Sequence, residues 1–288
     1  MIKFAHLIYI PMTGVGINNG YKSDEWFENR IEIFKEYTLK SLCNQTQKVF
    51  MLWLSFRPEE KNNPLVEELG RYLAKVNMPT IMTFDGLMYW DDKFSKGLKN
   101  RLMNMARVTR GCFREKNFKQ LIPSLVGLLK DKNKTLLKRL DNALFQLRDL
   151  NEFLDVNYIY VTRIDSDDMF HKEAIAEIQR IKPFEGALVY ENGFVYNSNT
   201  KEMAEWKPET NPPFHTIIFL GSIFFNPIEH LRYYGSFRSH EDIPRVFPIR
   251  KMKDGRYCVV VHGNHISTVW NHRFRGKPVD SKLLNDFK

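Results

Sequence analysis

Apolar positions along the chain follow two periods that succeed one another. Lys3 to Pro11 is a run of apolar and aromatic residues closed by proline, which predicts a buried strand entering a Gly-rich turn. From Ser23, an N-cap residue followed by Asp24, Glu25 and Glu28, the spacing becomes helical, with Trp26, Ile31, Phe34, Leu39 and Leu42 on one face. Val49 to Phe56 predicts a second strand, Pro64 to Val76 a second helix, and Thr80 to Phe84 a short strand ending at Asp85-Gly86. Such alternation argues for an α/β fold in which helices cover a largely parallel sheet and ligands bind beyond the carboxyl ends of the strands. Those ends are Pro11 to Asn18, Ser55 to Arg57, and Asp85.

Farther along, Asn157 to Ile164 is dense in β-branched and aromatic residues and predicts a buried strand, followed by a helix from about Lys172 to Ile181. Ala187 to Tyr196 and Lys201 to Trp206 read as strands flanking a polar turn, and Ile217 to Phe225 and Tyr257 to His262 are two more apolar runs. With no internal repeat and no flexible linker, one domain over residues 1–288 is expected.

Charge changes this picture in one place. The net charge is +9, yet Lys93 to Arg148 alone holds 15 Lys or Arg against only Glu115, Asp131 and Asp141. Leu136, Leu140, Leu144 and Leu147 recur there at helical spacing, so residues 93–150 are expected to be a basic helical insertion. Besides a solvated face, such a segment suits peripheral contact with an anionic membrane or capture of an acidic substrate. Nucleic acid fits least, because the regular aromatic interleaving of a base-stacking platform is missing. No apolar run approaches the roughly 20 residues of a membrane span, and the start of the chain does not read as a signal peptide, so a cytoplasmic location is expected. Cys43, Cys112 and Cys258 are odd in number and far apart, which suits reduced thiols rather than disulfides or a zinc site.

Three clusters carry candidate chemistry. Asp165-Ser166-Asp167-Asp168 follows a buried strand, and residues i and i+2 of an extended chain project to one side. Carboxylates so placed suit Mn²⁺ or Mg²⁺, hard ions that share oxygen ligands with substrate phosphates, and Arg163 is placed to contact a phosphate. The alternative is an Asp-rich turn capping the next helix. In His240-Glu241-Asp242, a carboxylate of Glu241 or Asp242 could act as a general base toward a hydroxyl; an acidic surface turn explains it equally well. His262-Gly-Asn264-His265 ends an apolar strand, where histidine nitrogens could serve a metal or a diphosphate. Gly14-Val15-Gly16 opens a dinucleotide fingerprint, but the third glycine position is Asn19, so a Rossmann dehydrogenase is discarded.

The chain resembles the GT-A class of nucleotide-sugar-dependent glycosyltransferases, and more narrowly the rhamnosyltransferase family. The matching stretches are Trp26 to Arg30, Phe34 to Leu42, Gln45-Thr46, Phe50 to Leu54 and, above all, Thr162 to Asp168. The resemblance implies a GT-A, Rossmann-like mixed central sheet flanked by helices, a nucleoside-diphosphate sugar as donor, and a glycan or lipid-linked acceptor. By it, Asp165 would contact the ribose or metal, Asp167 the metal, and Asp85 the base, with Thr13 and Arg163 also in the donor site. Asp242, with Glu241 beside it, would supply the catalytic base, and His262 or His265 a further metal or diphosphate contact. The chain departs from the family by having Met12-Thr13 after the first strand and Arg57 after the second, where an Arg-Phe pair and an acidic residue are usual. A nucleotidyltransferase would place a Gly-Ser phosphate loop before its carboxylates, whereas Gly221-Ser222 follows them; a non-catalytic basic surface module is the other alternative.

Overall fold

The computed structural model describes residues 3–13, 24–56, 60–84, 106, 109, 113, 143–147, 155–209, 212–226, 228–230, 240–262 and 270–288, with the backbone alone at Asp242. The first sheet has seven strands in the order β10-β6-β9-β4-β1-β2-β3. These are β1 (Phe4–Pro11), β2 (Met51–Ser55), β3 (Thr80–Thr83), β4 (Tyr158–Arg163), β6 (Gly186–Val189), β9 (His215–Leu220) and β10 (Ile249–Lys251). β1 pairs in parallel with both β2 and β4, β2 with β3, and β10 with β6. β9 runs antiparallel to β4 and to β6, so the expected mixed α/β sheet is present.

Alternation along each strand gives the sheet two apolar faces. Ile8, Ile10, Leu52, Leu54, Tyr160 and Ile218 face the helices α1 (Asp24–Ile33), α2 (Lys40–Cys43), α3 (Pro64–Lys75) and α4 (Ala174–Arg180). Leu7, Tyr9, Trp53, Val161, Val189 and Ile217 face the other way, against Leu144, Leu147, Phe224, Ile243 and Phe247. Each such side chain, buried, contributes about 1.5–3 kcal/mol. Asn63 caps α3 by accepting from Leu65 N at 2.9 Å, and Pro64 occupies its first turn, where a missing N–H costs nothing. Between α1 and α2 the helix widens into a π turn over Phe34–Leu39. This irregularity lies beside the candidate site, since Thr38 Oγ1 donates to Asp165 O at 3.4 Å.

A second sheet, in the order β12-β8-β7-β11-β5, contains β5 (Met169–Phe170), β7 (Gly193–Asn197), β8 (Met203–Trp206), β11 (Tyr257–Val261) and β12 (Arg275–Val279). The chain leaves β4, turns through residues 164–168 and enters β5 at once, so that turn joins the two sheets. β11 is bound to this junction by its pairing with β5, Cys258 opposite Met169.

Two predicted strands prove to be composite. Ala187 to Tyr196 is divided between β6 and β7, which belong to different sheets. The link at Tyr190 to Asn192 is held by polar contacts: Tyr190 Oη donates to Ala174 O, Tyr257 Oη to Glu191 O, and Asn192 Nδ2 to Asp254. Ile217 to Phe225 ends as a strand at Leu220 and continues as the short helix α5 (Gly221–Phe224). At Gly221 a Cβ would stand 2.5 Å from Val156 O, so only glycine lets the chain turn there. Strands β5, β10 and β12, three residues or fewer or largely exposed, left no apolar run to read. Ser23, Gly14 to Gly16 and nearly all of the basic segment 93–150 lie outside the described residues. Among the described residues, no helix is long and apolar enough to cross a membrane.

Candidate functional site

β1, β2 and β3 proceed to one side of β1, whereas β4 lies on its other side. The order of strands therefore reverses between β1 and β4, and the crevice beyond their carboxyl ends is where open α/β sheets bind ligands. Residues 165–168 sit at that reversal. The turn is closed by Asp168 N donating to Asp165 O at 3.2 Å, and the Ser166 hydroxyl reaches Pro11 O, at the end of β1, at 3.3 Å.

The three carboxylates of the turn have separate environments. Asp165 is about one-third exposed, and its Oδ1 accepts from Arg163 Nη2 at 2.7 Å. Asp167 receives the guanidinium of Arg30, Nη1 at 2.8 Å on Oδ2 and Nη2 at 3.3 Å on Oδ1. His262 Nε2 donates to the same Oδ2 at 3.1 Å. Burial would raise the Asp167 pKa, but the Arg30 charge and the His262 and Arg30 hydrogen bonds outweigh it and hold the carboxyl far below its usual range. Asp168 goes the other way. It is buried, its Oδ1 accepts from Val260 N at 3.0 Å, and burial followed by the charges of Asp167 and Asp165 pushes its pKa well above the usual range. The helix-capping alternative for this turn is not what forms: the residue preceding α4 is Glu173, with no side-chain cap.

Arg30 is the residue that the sequence reading passed over. It is 4% exposed, projects from α1, and its Nε donates to Ser166 Oγ at 2.9 Å. Its signal was a cation at a core position, flanked at helical spacing by buried Phe27 and Phe34. Thr13, expected to contact the donor, donates to Glu60 and is buried with it. Arg163, expected to meet a phosphate, is bonded to Asp165.

On the other face, Arg163 stands in register beside His215 of β9 and Tyr9 of β1. His215 Nδ1 is buried with no hydrogen-bond partner among the described residues. Burial keeps this imidazole neutral, its pKa well below the ordinary value, with the charges of Arg163 and His240 adding to the effect. The turn His240–Asp242 leads into α6 (Ile243–Val246), whose first residue, Ile243, is buried in the core. Glu241 is exposed. Asp85, His265 and the side chain of Asp242 lie outside the described residues.

A metal held by Asp165, Asp167 and His262 would have to displace bonds already made, since Arg30 engages both oxygens of Asp167, His262 bonds to that same carboxylate, and Arg163 bonds to Asp165.

No family model and no curated protein matches the chain. Solved structures similar to it include S. aureus TarS 1–349, at 14% identity and a TM-score of 0.40, covering 89% of this chain and 60% of that one. The same protein in complex with UDP is similar at 13% identity and a TM-score of 0.39, over 90% of this chain and 61% of that one. A nucleotide-diphospho-sugar transferase from Desulfovibrio desulfuricans G20 follows at 9% identity and a TM-score of 0.30, over 88% and 81%. The chain thus spans about three fifths of the length of the TarS 1–349 structures. Likenesses this distant leave the chemistry to be read from the residues themselves.

Proposed function

We propose that the chain is a GT-A-type glycosyltransferase that moves a sugar, rhamnose by the family resemblance, from a nucleoside diphosphate to an acceptor hydroxyl. One observation carries this reading: paired arginines, carboxylates and a histidine meet beyond the carboxyl ends of β1, β4 and β11, at the reversal of strand order. The site's three bonded cations and donors, Arg30, Arg163 and His262, suit a diphosphate, whose oxygens accept hydrogen bonds and gain charge as the glycosidic bond breaks.

In the proposed reaction the acceptor oxygen forms a bond to the anomeric carbon while the bond from that carbon to the diphosphate oxygen breaks. The electron pair leaves with the diphosphate, and the acceptor proton passes to a carboxylate. Asp242 is the proposed base, with Glu241 as its neighbour in the same turn; a single displacement of this kind inverts the anomeric centre. Asp165 is the proposed ribose contact, Asp85 the base contact, and His265 a further diphosphate contact. A glycan or lipid-linked acceptor, and peripheral contact of the basic segment with an anionic membrane, complete the proposal. The chain is proposed to act as one domain.

The test is a thermal-shift panel of UDP, GDP, dTDP and CDP. A ligand that binds only the folded state raises its melting temperature, so stabilisation by one nucleotide is expected. Folded protein that none of the four stabilises would remove the donor reading. Asp242→Asn is then expected to keep nucleotide binding and lose transfer; unchanged transfer would remove Asp242 as the base.

A further inference from the structure

Asp167 is the carboxylate best placed to receive a cation at the end of β4, and it already has one. An ionised carboxylate offers about four lone-pair directions. Two are filled by Arg30 Nη1 and Nη2 and a third by His262 Nε2. Arg30 is in turn fixed on its remaining side by Ser166, whose hydroxyl is held to the end of β1. This is a built pair: Arg30 is 5% and Asp167 14% exposed at the side chain.

A divalent ion that took Asp167 would have to turn this guanidinium out of its bonds, leaving a buried charge unpaired, which costs far more than a surface ion pair returns. A guanidinium, by contrast, presents five N–H donors in a planar fork suited to phosphate; Arg30 uses three in the bonds given above, which leaves two.

We propose that Arg30 is the resident cation of the donor site, occupying the place at Asp167 that a divalent metal would take, so that a nucleoside diphosphate binds without metal. The proposal rests on the donor reading above and adds the identity of the cation. Arg30 acts on the leaving diphosphate directly and on Asp167 as a positioning residue.

Two measurements test it. In the first, each of the four nucleoside diphosphates is titrated calorimetrically into protein dialysed against EDTA and, separately, into protein with Mn²⁺. Equal affinity in the two buffers is expected, within about threefold, while Arg30→Gln weakens binding in EDTA by about tenfold or more and Arg30→Lys restores part of it. In the second, Mn²⁺ alone is mixed with wild-type protein and followed by electron paramagnetic resonance; the free-ion signal is expected to persist. Nucleotide binding that appears only with Mn²⁺, or capture of Mn²⁺ by the wild-type protein alone, overturns the proposal. If no nucleotide binds in either buffer, the donor reading falls and diphosphate binding with it, whereas a persisting Mn²⁺ signal would still uphold Arg30 as the occupant of Asp167.

Discussion

The Arg30–Asp167 pair makes a quantitative prediction about stability. Asp167→Leu leaves a guanidinium that is 4% exposed without its counter-ion. Arg30→Met leaves a buried carboxylate that keeps, among the described residues, the hydrogen bond from His262. Removing one partner of a buried ion pair costs about 3–5 kcal/mol, whereas replacing both with apolar residues of similar size is often close to neutral. Each single variant should therefore lose about 3–5 kcal/mol and the double variant much less. At about 2.1 cal/mol/K per residue over 288 residues, each single loss corresponds to roughly 5–8 °C in melting temperature. The assay is urea unfolding followed by circular dichroism for all four members of the cycle. The pH dependence supplies a second check. Because the folded Asp167 pKa is depressed, its contribution is fully present above the ordinary carboxyl value of 3.8 and is lost as pH falls through the lower folded value. The advantage of wild type over each single variant should thus hold near neutrality and shrink in acid. Single variants within about 1 kcal/mol of wild type, or a double variant that simply adds the two losses, would refute the reasoning.

Other expectations follow from neighbouring features. Asp168 has a raised folded pKa, so wild-type stability falls as pH rises from the ordinary carboxyl value toward the folded one; Asp168→Asn keeps an acceptor for Val260 N and should gain on wild type over that rise. Urea midpoints from pH 4 to 8 check this, and a pH-independent difference would count against it. Gly193→Ala should destabilise by about 1–3 kcal/mol, because a Cβ there would stand 2.6 Å from Tyr257 O; a neutral effect on the melting temperature would contradict the close approach. Phe287 is fully buried beside His171 and Phe194, and Phe287→Ala should cost about 3–5 kcal/mol by denaturant unfolding, with an exposed-residue cost of under 0.5 as the contrary result.

The fold was legible where burial dictates residue type. β1, β2 and β4 are buried on both faces and stand out as apolar runs, and α3 announces itself through Asn63, Pro64 and its stripe of Val66, Leu69 and Leu73. The boundary between β6 and β7 was not legible, because Tyr190 is as apolar as the strands it separates and its break depends on hydrogen bonds to distant residues. Of the site, the Asp165 to Asp168 turn was legible because three carboxylates follow a strand read as part of a parallel sheet, where ligands bind beyond the strand ends. The partnerships were not: Arg30 meets Asp167 across 137 positions, and Asp168 meets Val260 across 92. Pattern along a chain shows which side chains are out of place, but not which distant one compensates them.

The ladder between β1 and β4, at the centre of the first sheet, closes a long stretch of chain, since the preceding strand β3 ends at Thr83 and β4 begins at Tyr158. The entropic penalty of closing such a loop grows only logarithmically, by about 0.6 kcal/mol for each doubling of length. The length of this stretch therefore costs little at equilibrium, while the pairing itself must be found across that distance, and Ala143, Leu144 and Leu147 within it are held by their burial against the sheet. The Lys93 to Arg148 stretch, where the excess positive charge is concentrated, falls within this interval. Sequence changes there leave intact the register that aligns Tyr9 with Arg163 only where they keep Ala143, Leu144 and Leu147, which tie the end of this stretch to the sheet.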